Sequence, residues 1–272
     1  MKTWRLLYTP PSSGAWNMAV DESILEHIHL GESLPTLRLY SWDPPCLSLG
    51  HAQSFADVDL ERIKANGWEV VRRVTGGRAI LHTDELTYSV TGSADEPVLT
   101  GGVLESYNRL AQALLQAVRE LGLPVEIKEH EAAGHSSSVT NPVCFEVPST
   151  YEITVNGKKL IGSAQARKKE GVLQHGSLPL TGDLTRICQA LIFKDESARE
   201  NAAQRLLARA TTVQSVIGVE IALETAARAL VHGFESQLKI KFESGVLSRS
   251  EEKRAAELVE EKYANPVWTE RS

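Results

Sequence analysis

Residues 151–180, "YEITVNGKKLIGSAQARKKEGVLQHGSLPL", decide the fold class. Two runs of alternating, β-branched character flank Asn156-Gly157. That dipeptide suits a two-residue type I′ turn, in which both central residues take positive φ. The stretch reads as a hairpin or meander of antiparallel strands. Lys158 and Lys159 are neighbours, so in a strand they face opposite sides. Lys159 opens the apolar run "KLIGSA" and is the candidate to turn inward, although strand lysines are commonly edge charges.

Around this meander, strand patterns alternate with helical ones. "WRLLYT" opens the chain as a strand. "AWNMAVDESILEHIHL" spaces Met18, Ile24, Leu25 and Ile28 as a helix, with Gly31 as its stop. "TLRLYSW" and "CLSLG" are short strands interrupted by Pro44-Pro45. "DLERIKANG" predicts a short helix ended by Gly67, and "WEVVRRV" a strand. "TGGRAILHTDELTYSVTG" turns into a strand or hairpin. "VLESYNRLAQALLQAVRELGL" predicts a long helix with an apolar face from Leu104 through Leu121. Residues 128–142, rich in Ser and Gly, read as a surface loop. From Asp183 the chain is mainly helical, with one strand at "LKIKFE" and a charged amphipathic helix near the end. The fold class is therefore α+β (mixed α/β), with central mixed and antiparallel sheets layered with helices. No linker divides the chain. The expected organisation is a catalytic domain over 1–245, with a C-terminal helix and tail, 246–272, packed on it.

At 272 residues the chain can bury a sizeable core. Its net charge of -6 argues against a nucleic-acid binder, which needs a basic surface for phosphate contacts. No apolar run approaches the roughly 18 residues that span a bilayer. The N-terminus lacks the long apolar core of a secretory signal, so a cytoplasmic location is expected. Cys46, Cys144 and Cys188 match no zinc-binding spacing, and reduced thiols are the simplest account. No metal is expected.

Three features could carry chemistry. In "RRVTGGRAILH", Thr75, Gly76 and Gly77 permit close backbone approach to a ligand, and Arg72, Arg73 and Arg78 add positive charge. The plain alternative is a turn between strands with solvated arginines. Cys46 and Cys188 sit among apolar neighbours and read as inert core thiols. Cys144 differs, because it stands where a polar loop meets a sheet, between Pro142 and Pro148. A thiol there becomes a thiolate only with help from a nearby cation. Lys159 is one candidate, and His82 and His175 are others. Each histidine taken singly also reads as a structural polar group.

Taken together and in order, four blocks resemble the lipoate–biotin protein ligase superfamily. They are "NMAVDE", "LRLYSWDPPCLSLGHAQ", "VRRVTGGRAILH" with "DELTYSV", and "CFEVPSTYEITVNGKKLIGSAQARKKEGVLQHGSL". Within it the chain is similar to the LipM-type octanoyltransferases of the lipoate–protein ligase A family. ATP-dependent ligases of that superfamily usually carry a third glycine where Arg78 stands, and lack a cysteine at the position of Cys144. The resemblance implies the biotin/lipoate ligase catalytic-domain fold and a thioester route needing no ATP or other cofactor. It implies that Cys144 and Lys159 are catalytic. The substrate would be bound around Arg72, Arg73, Thr75, Gly76, Gly77, Arg78 and His82, and around Gly162, Ser163, Ala164 and His175.

The donor it implies is octanoyl-acyl carrier protein, and the acceptor a lipoyl domain of a 2-oxoacid dehydrogenase or the glycine-cleavage H protein. Both proteins are typically acidic, so the arginines and the "ARKKE" cluster at 166–170 could steer docking. Three alternatives stand beside this reading: an ATP-dependent lipoate–protein ligase acting through a lipoyl-adenylate, an amidotransferase moving acyl groups between lipoyl proteins, and a noncatalytic binding member of the fold.

Overall fold

The computed structural model describes residues 1–129 and 151–271. In chain order the first half comprises β1 (Lys2–Tyr8), α1 (Gly14–His29), β2 (Thr36–Tyr40), β3 (Cys46–Leu49), α2 (Leu60–Ala65), β4 (Glu69–Arg72), β5 (Ile80–His82), β6 (Glu85–Gly92), α3 (Val103–Glu120) and β7 (Val125–Glu129). The second half comprises β8 (Tyr151–Val155), β9 (Lys158–Lys168), β10 (Gly171–Pro179), α4 (Glu196–Arg209), α5 (Val213–Ile217), α6 (Leu223–Leu238), β11 (Ile240–Ser244), α7 (Arg249–Leu258) and α8 (Pro266–Thr269).

Eight strands form one sheet in the order β11-β1-β2-β6-β10-β9-β8-β7. The β11, β1 and β2 strands run parallel, and from β2 onward every pairing is antiparallel. The meander expected from the sequence is the β8–β9–β10 segment. Asn156 and Gly157 take φ of 50° and 78°, as a two-residue turn between β8 and β9 requires. A second sheet of three strands, β4-β3-β5, packs beside the first.

The sequence left "TGGRAILHTDELTYSVTG" open as a strand or a hairpin, and it is not a hairpin. β5 pairs with β3 in the small sheet, whereas β6 pairs with β2 and β10 in the large one. Thr83 and Asp84 thus carry the chain from one sheet to the other. This crossing brings the two sheets together where β5 ends and β6 begins.

Helices cover both faces of the large sheet. On one side, α3 and α6 bury Leu110, Ala113, Leu114, Leu230 and Phe234 against it. A Cβ on Gly233 would lie 2.5 Å from the Ala113 carbonyl oxygen, so this glycine lets the two helices approach. Leu104 belongs to the first turn of α3 and is 51% exposed, so the buried face begins later than the sequence suggests. On the other side, α1 buries Met18, Ile24, Leu25 and Ile28. It also buries Asn17, Asp21 and Glu22, because it lies between the sheet and the C-terminal segment. α7 packs on α1 and is pinned by Arg5, whose guanidinium donates to both carboxylate oxygens of Glu251. Burial pushes the Glu251 carboxyl up, but Arg5, the Ser248 amide and Ser33 outweigh it and hold it at about 2. Farther along the chain, Lys262 and Lys168 both reach Glu22. Among the described residues, no helix is long and apolar enough to cross a membrane.

Candidate active site

A cleft opens where the small sheet meets the large one. Its walls include Gly77 of the glycine turn, Gly162, Ser163 and Ala164 of β9, and His175 of β10. Met18, Tyr40, Trp42 and Ile80 supply apolar surface, a fit for an alkyl chain. Residues 162–164 and His175 meet because β9 and β10 pair with Ser163 opposite Gly176 and Ala164 opposite His175, and Gly77, almost a hundred positions before His175, joins them from the glycine turn.

The polar groups around the cleft form two connected sets. In the first, His82 stacks on Trp42 with ring centroids 3.9 Å apart and planes 6° from parallel. Its Nδ1 lies 2.6 Å from Glu85 Oε1 and its Nε2 lies 2.7 Å from Ser48 Oγ. The same Glu85 oxygen accepts from Thr87 and Ser177, and Thr87 in turn accepts from the Trp42 indole N–H. Burial would raise the Glu85 carboxyl; His82, Thr87 and Ser177 outweigh it and keep it below the ordinary carboxylate range.

In the second set, Asp21 of α1 is fully buried. It accepts from Arg38, Ser89 and Tyr40, and lies 3.6 Å from His175 Nδ1. His175 Nε2 is 2.6 Å from Thr75 Oγ1. Burial alone would raise the Asp21 carboxyl, but Arg38, His175 and Ser89 together hold it low. Burial holds His175 below the ordinary histidine range, with Arg73 and His82 adding to the effect, so the ring is neutral near pH 7.

The sequence-predicted residues separate by role. Arg73, Gly77, His82, Gly162, Ser163, Ala164 and His175 line the cleft, whereas Arg72, Thr75, Gly76, Arg78 and Lys159 do not. Arg73 donates to Ser48 and to the carbonyls of Gly76 and Arg78, so it braces the glycine turn. Arg72 is not a solvated cation. Its buried guanidinium donates to the carbonyls of Gly50, His51, Gln53, Trp268, Thr269 and Arg271, which removes it from steering or substrate contact. In the "ARKKE" cluster, Arg167 donates to the Leu99 carbonyl and Lys168 pairs with Glu22, while Lys169 is exposed. Docking cations are therefore fewer than the sequence suggests.

Lys159 turns inward as expected, with 5% of its surface exposed, while Lys158 extends to the Leu207 carbonyl. Cys144 lies outside the described residues. Cys46 and Cys188 are buried, and burial, with Glu69 nearby, pushes the Cys46 thiol well above its ordinary value.

Sequence reasoning assigned no role to Asp21, Glu85, Ser48 or Trp42. The first two carried a signal, since each is a carboxylate inside a run otherwise patterned for burial. A buried acid needs partners, and each of these has several, with one cleft histidine beside it.

The lipoyl protein ligase A/B catalytic domain family matches residues 13–235. The chain belongs to that family. Octanoyltransferase LipM of Moorella thermoacetica is 42% identical over 271 residues, covering 99% of this chain and 98% of that protein. Octanoyltransferase LipM of Kyrpidia tusciae is 39% identical and is covered in full. A bipartite lipoate protein ligase of Thermoplasma acidophilum, studied with its E2 lipoyl domain, superposes with a TM-score of 0.83 at 26% identity. That alignment covers 99% of this chain and 97% of the ligase. Within the lipoyl protein ligase A/B family, then, the chain has the ligase fold and stands with the LipM octanoyltransferases along its whole length.

Proposed function

We propose that the protein moves an octanoyl group from octanoyl-acyl carrier protein to a lysine of a lipoyl domain or of the glycine-cleavage H protein, through a thioester on Cys144. The observation that carries this reading is the full-length similarity to LipM octanoyltransferases. The apolar-walled cleft supports it, since Met18, Trp42 and Ile80 offer an alkyl chain a dry surface.

The Cys144 thiolate attacks the donor's thioester carbonyl. A C–S bond forms to the enzyme, the C–S bond to the carrier breaks, and the carrier thiol leaves with the proton. The acceptor lysine's neutral amine then attacks the enzyme thioester, which forms the amide and returns Cys144 to its thiol. Thioester exchange is close to isoenergetic and the amide is the more stable product, so no ATP is consumed. Lys159 acts as the cation that favours the thiolate and orients the acyl carbonyl. A single donor to the oxyanion is typically worth about 3 kcal/mol in such a step. The reaction belongs to a reducing cytoplasm, where Cys144 stays a thiol. Residues 1–245 act as the catalytic domain and 246–272 as a helix and tail packed on it, which the Arg5–Glu251 pair and the carbonyl cage of Arg72 support.

The donor arm is tested by offering octanoyl-acyl carrier protein without ATP, and separately free octanoate with ATP, to the same acceptor domain. Transfer only from the carrier thioester supports the reading. Transfer only with ATP replaces it with the ligase alternative.

A further inference from the structure

The two polar sets beside the cleft share a geometric property: each begins at a buried carboxylate and ends on the Thr75–Arg78 turn. Glu85 Oε1 is an acceptor only, so His82 Nδ1, 2.6 Å away, carries the proton and donates. In the Nδ1–H tautomer of the neutral ring, His82 Nε2 accepts from Ser48 Oγ–H at 2.7 Å. The Ser48 oxygen in turn accepts from Arg73 Nη1 at 3.0 Å. Arg73 Nη2 donates to Gly76 O at 2.9 Å and Arg78 O at 2.7 Å. The chain therefore runs without a break from a carboxylate to the far end of the turn.

The Asp21 set reaches the near end by a longer, charge-mediated contact in place of a short hydrogen bond. With Arg38, Ser89 and Tyr40 all donating to Asp21, the carboxylate is held ionised and faces His175 Nδ1 at 3.6 Å. A proton on Nδ1 leaves Nε2 to accept from Thr75 Oγ1–H at 2.6 Å. Behind the turn there is no slack: a Cβ on Gly50 would lie 1.9 Å from the Gly77 carbonyl oxygen. Gly77 itself, at φ of 90°, forms part of the cleft wall.

We infer that Asp21 and Glu85 are positioning residues, each of which fixes one end of the Thr75–Arg78 turn through a single histidine and so sets the wall against which the acyl donor binds. The inference rests on the octanoyltransferase reading for its kinetic test, but the geometry it describes has a readout of its own. Donor capture should suffer more than the chemical step, because neither carboxylate reaches the cleft surface.

Glu85→Gln, Asp21→Asn, Ser48→Ala and the Glu85→Gln/Ser48→Ala pair test it in the full-length protein. Glu85→Gln should raise the KM for octanoyl-acyl carrier protein by about 10-fold while kcat changes by less than about twofold. Because Glu85 acts through Ser48, the double variant should be no worse than the weaker-binding single variant; independent structural roles would instead multiply. Tautomers of ¹⁵N-labelled histidines supply the readout without catalysis. His82 and His175 should carry their proton on Nδ1 in the parent protein, and the Gly76 and Gly77 amide resonances should move in both carboxylate variants. Unchanged KM in folded variants, multiplying effects, or an Nε2-protonated His82 in the parent would each overturn the inference. If the parent transfers no octanoyl group, the functional reading fails and the tautomers and glycine amides still decide the relay. If Glu85→Gln does not fold, Ser48→Ala and the parent tautomers decide it.

Discussion

Arg72 and Arg73 stand side by side at the end of β4, carry the same charge, and serve two different parts of the molecule. Arg72 gathers the carbonyls of residues 50–53 and of the tail at 268–271, and Trp268 returns an indole N–H to the Arg72 carbonyl. Arg73 braces the glycine turn and reaches the cleft. Placement decides which guanidinium holds the fold and which shapes the site. A fully buried cation ringed by backbone acceptors is a stability device, because removing it strands every carbonyl it satisfied.

The largest effect should come from breaking the stability half of that contrast. Arg72→Ala should destabilise the protein by about 3–5 kcal/mol in denaturant unfolding, since buried carbonyls lose a charged donor and gain none. Loosened proteolysis at 268–271 should accompany it. Arg73→Ala should cost less stability, about 1–3 kcal/mol, but cut transfer from the octanoyl donor at least about 10-fold, as the wall turn loses its brace. Equal stability losses in the two variants, with equal activity per folded molecule, would erase the distinction.

A smaller effect separates the cleft from the C-terminal docking by pH. His175 is held below its unfolded value, so its contribution to stability is full above about pH 6.5 and is lost as pH falls. Glu22 is held at about 2: burial pushes it up, while Lys262, Lys168 and Tyr263 pull it down harder. Its contribution is full above its unfolded value of 4.5 and is lost as pH falls toward 2. Acid unfolding should thus begin in two stages. His175→Gln should flatten the slope near pH 6, and Glu22→Gln should flatten it below about pH 4.5. The smallest effect is one of labelling. With Cys46 and Cys188 buried, a brief native-state alkylation should leave both unmodified, and their alkylation should need denaturant.

Much of the architecture was readable because its signals are local. Asn156-Gly157 announced a turn through φ alone, and the alternation on either side announced its strands. The inward aim of Lys159 followed from the same two-residue period. What the sequence did not reveal depends on contacts between distant segments. The fate of Arg72 rests on a tail almost two hundred positions away, and no periodicity carries that information. The split of β5 and β6 between two sheets turns on what β3 and β10 offer as partners. In the site, Gly77 was named for its backbone freedom and His82 and His175 as candidate cations, and Gly162, Ser163 and Ala164 were added by the resemblance, whereas Asp21 and Glu85 stand out once the histidines beside them are in place.

The proposed transfer requires Cys144 as a transient carrier of the acyl group. Intact-mass measurement after incubation with octanoyl-acyl carrier protein, in the absence of acceptor and ATP, tests this most directly. The parent protein should gain the mass of one octanoyl group, and Cys144→Ala should gain none. An adduct of equal yield in the variant, or none in a parent protein that transfers once ATP is added, would contradict it.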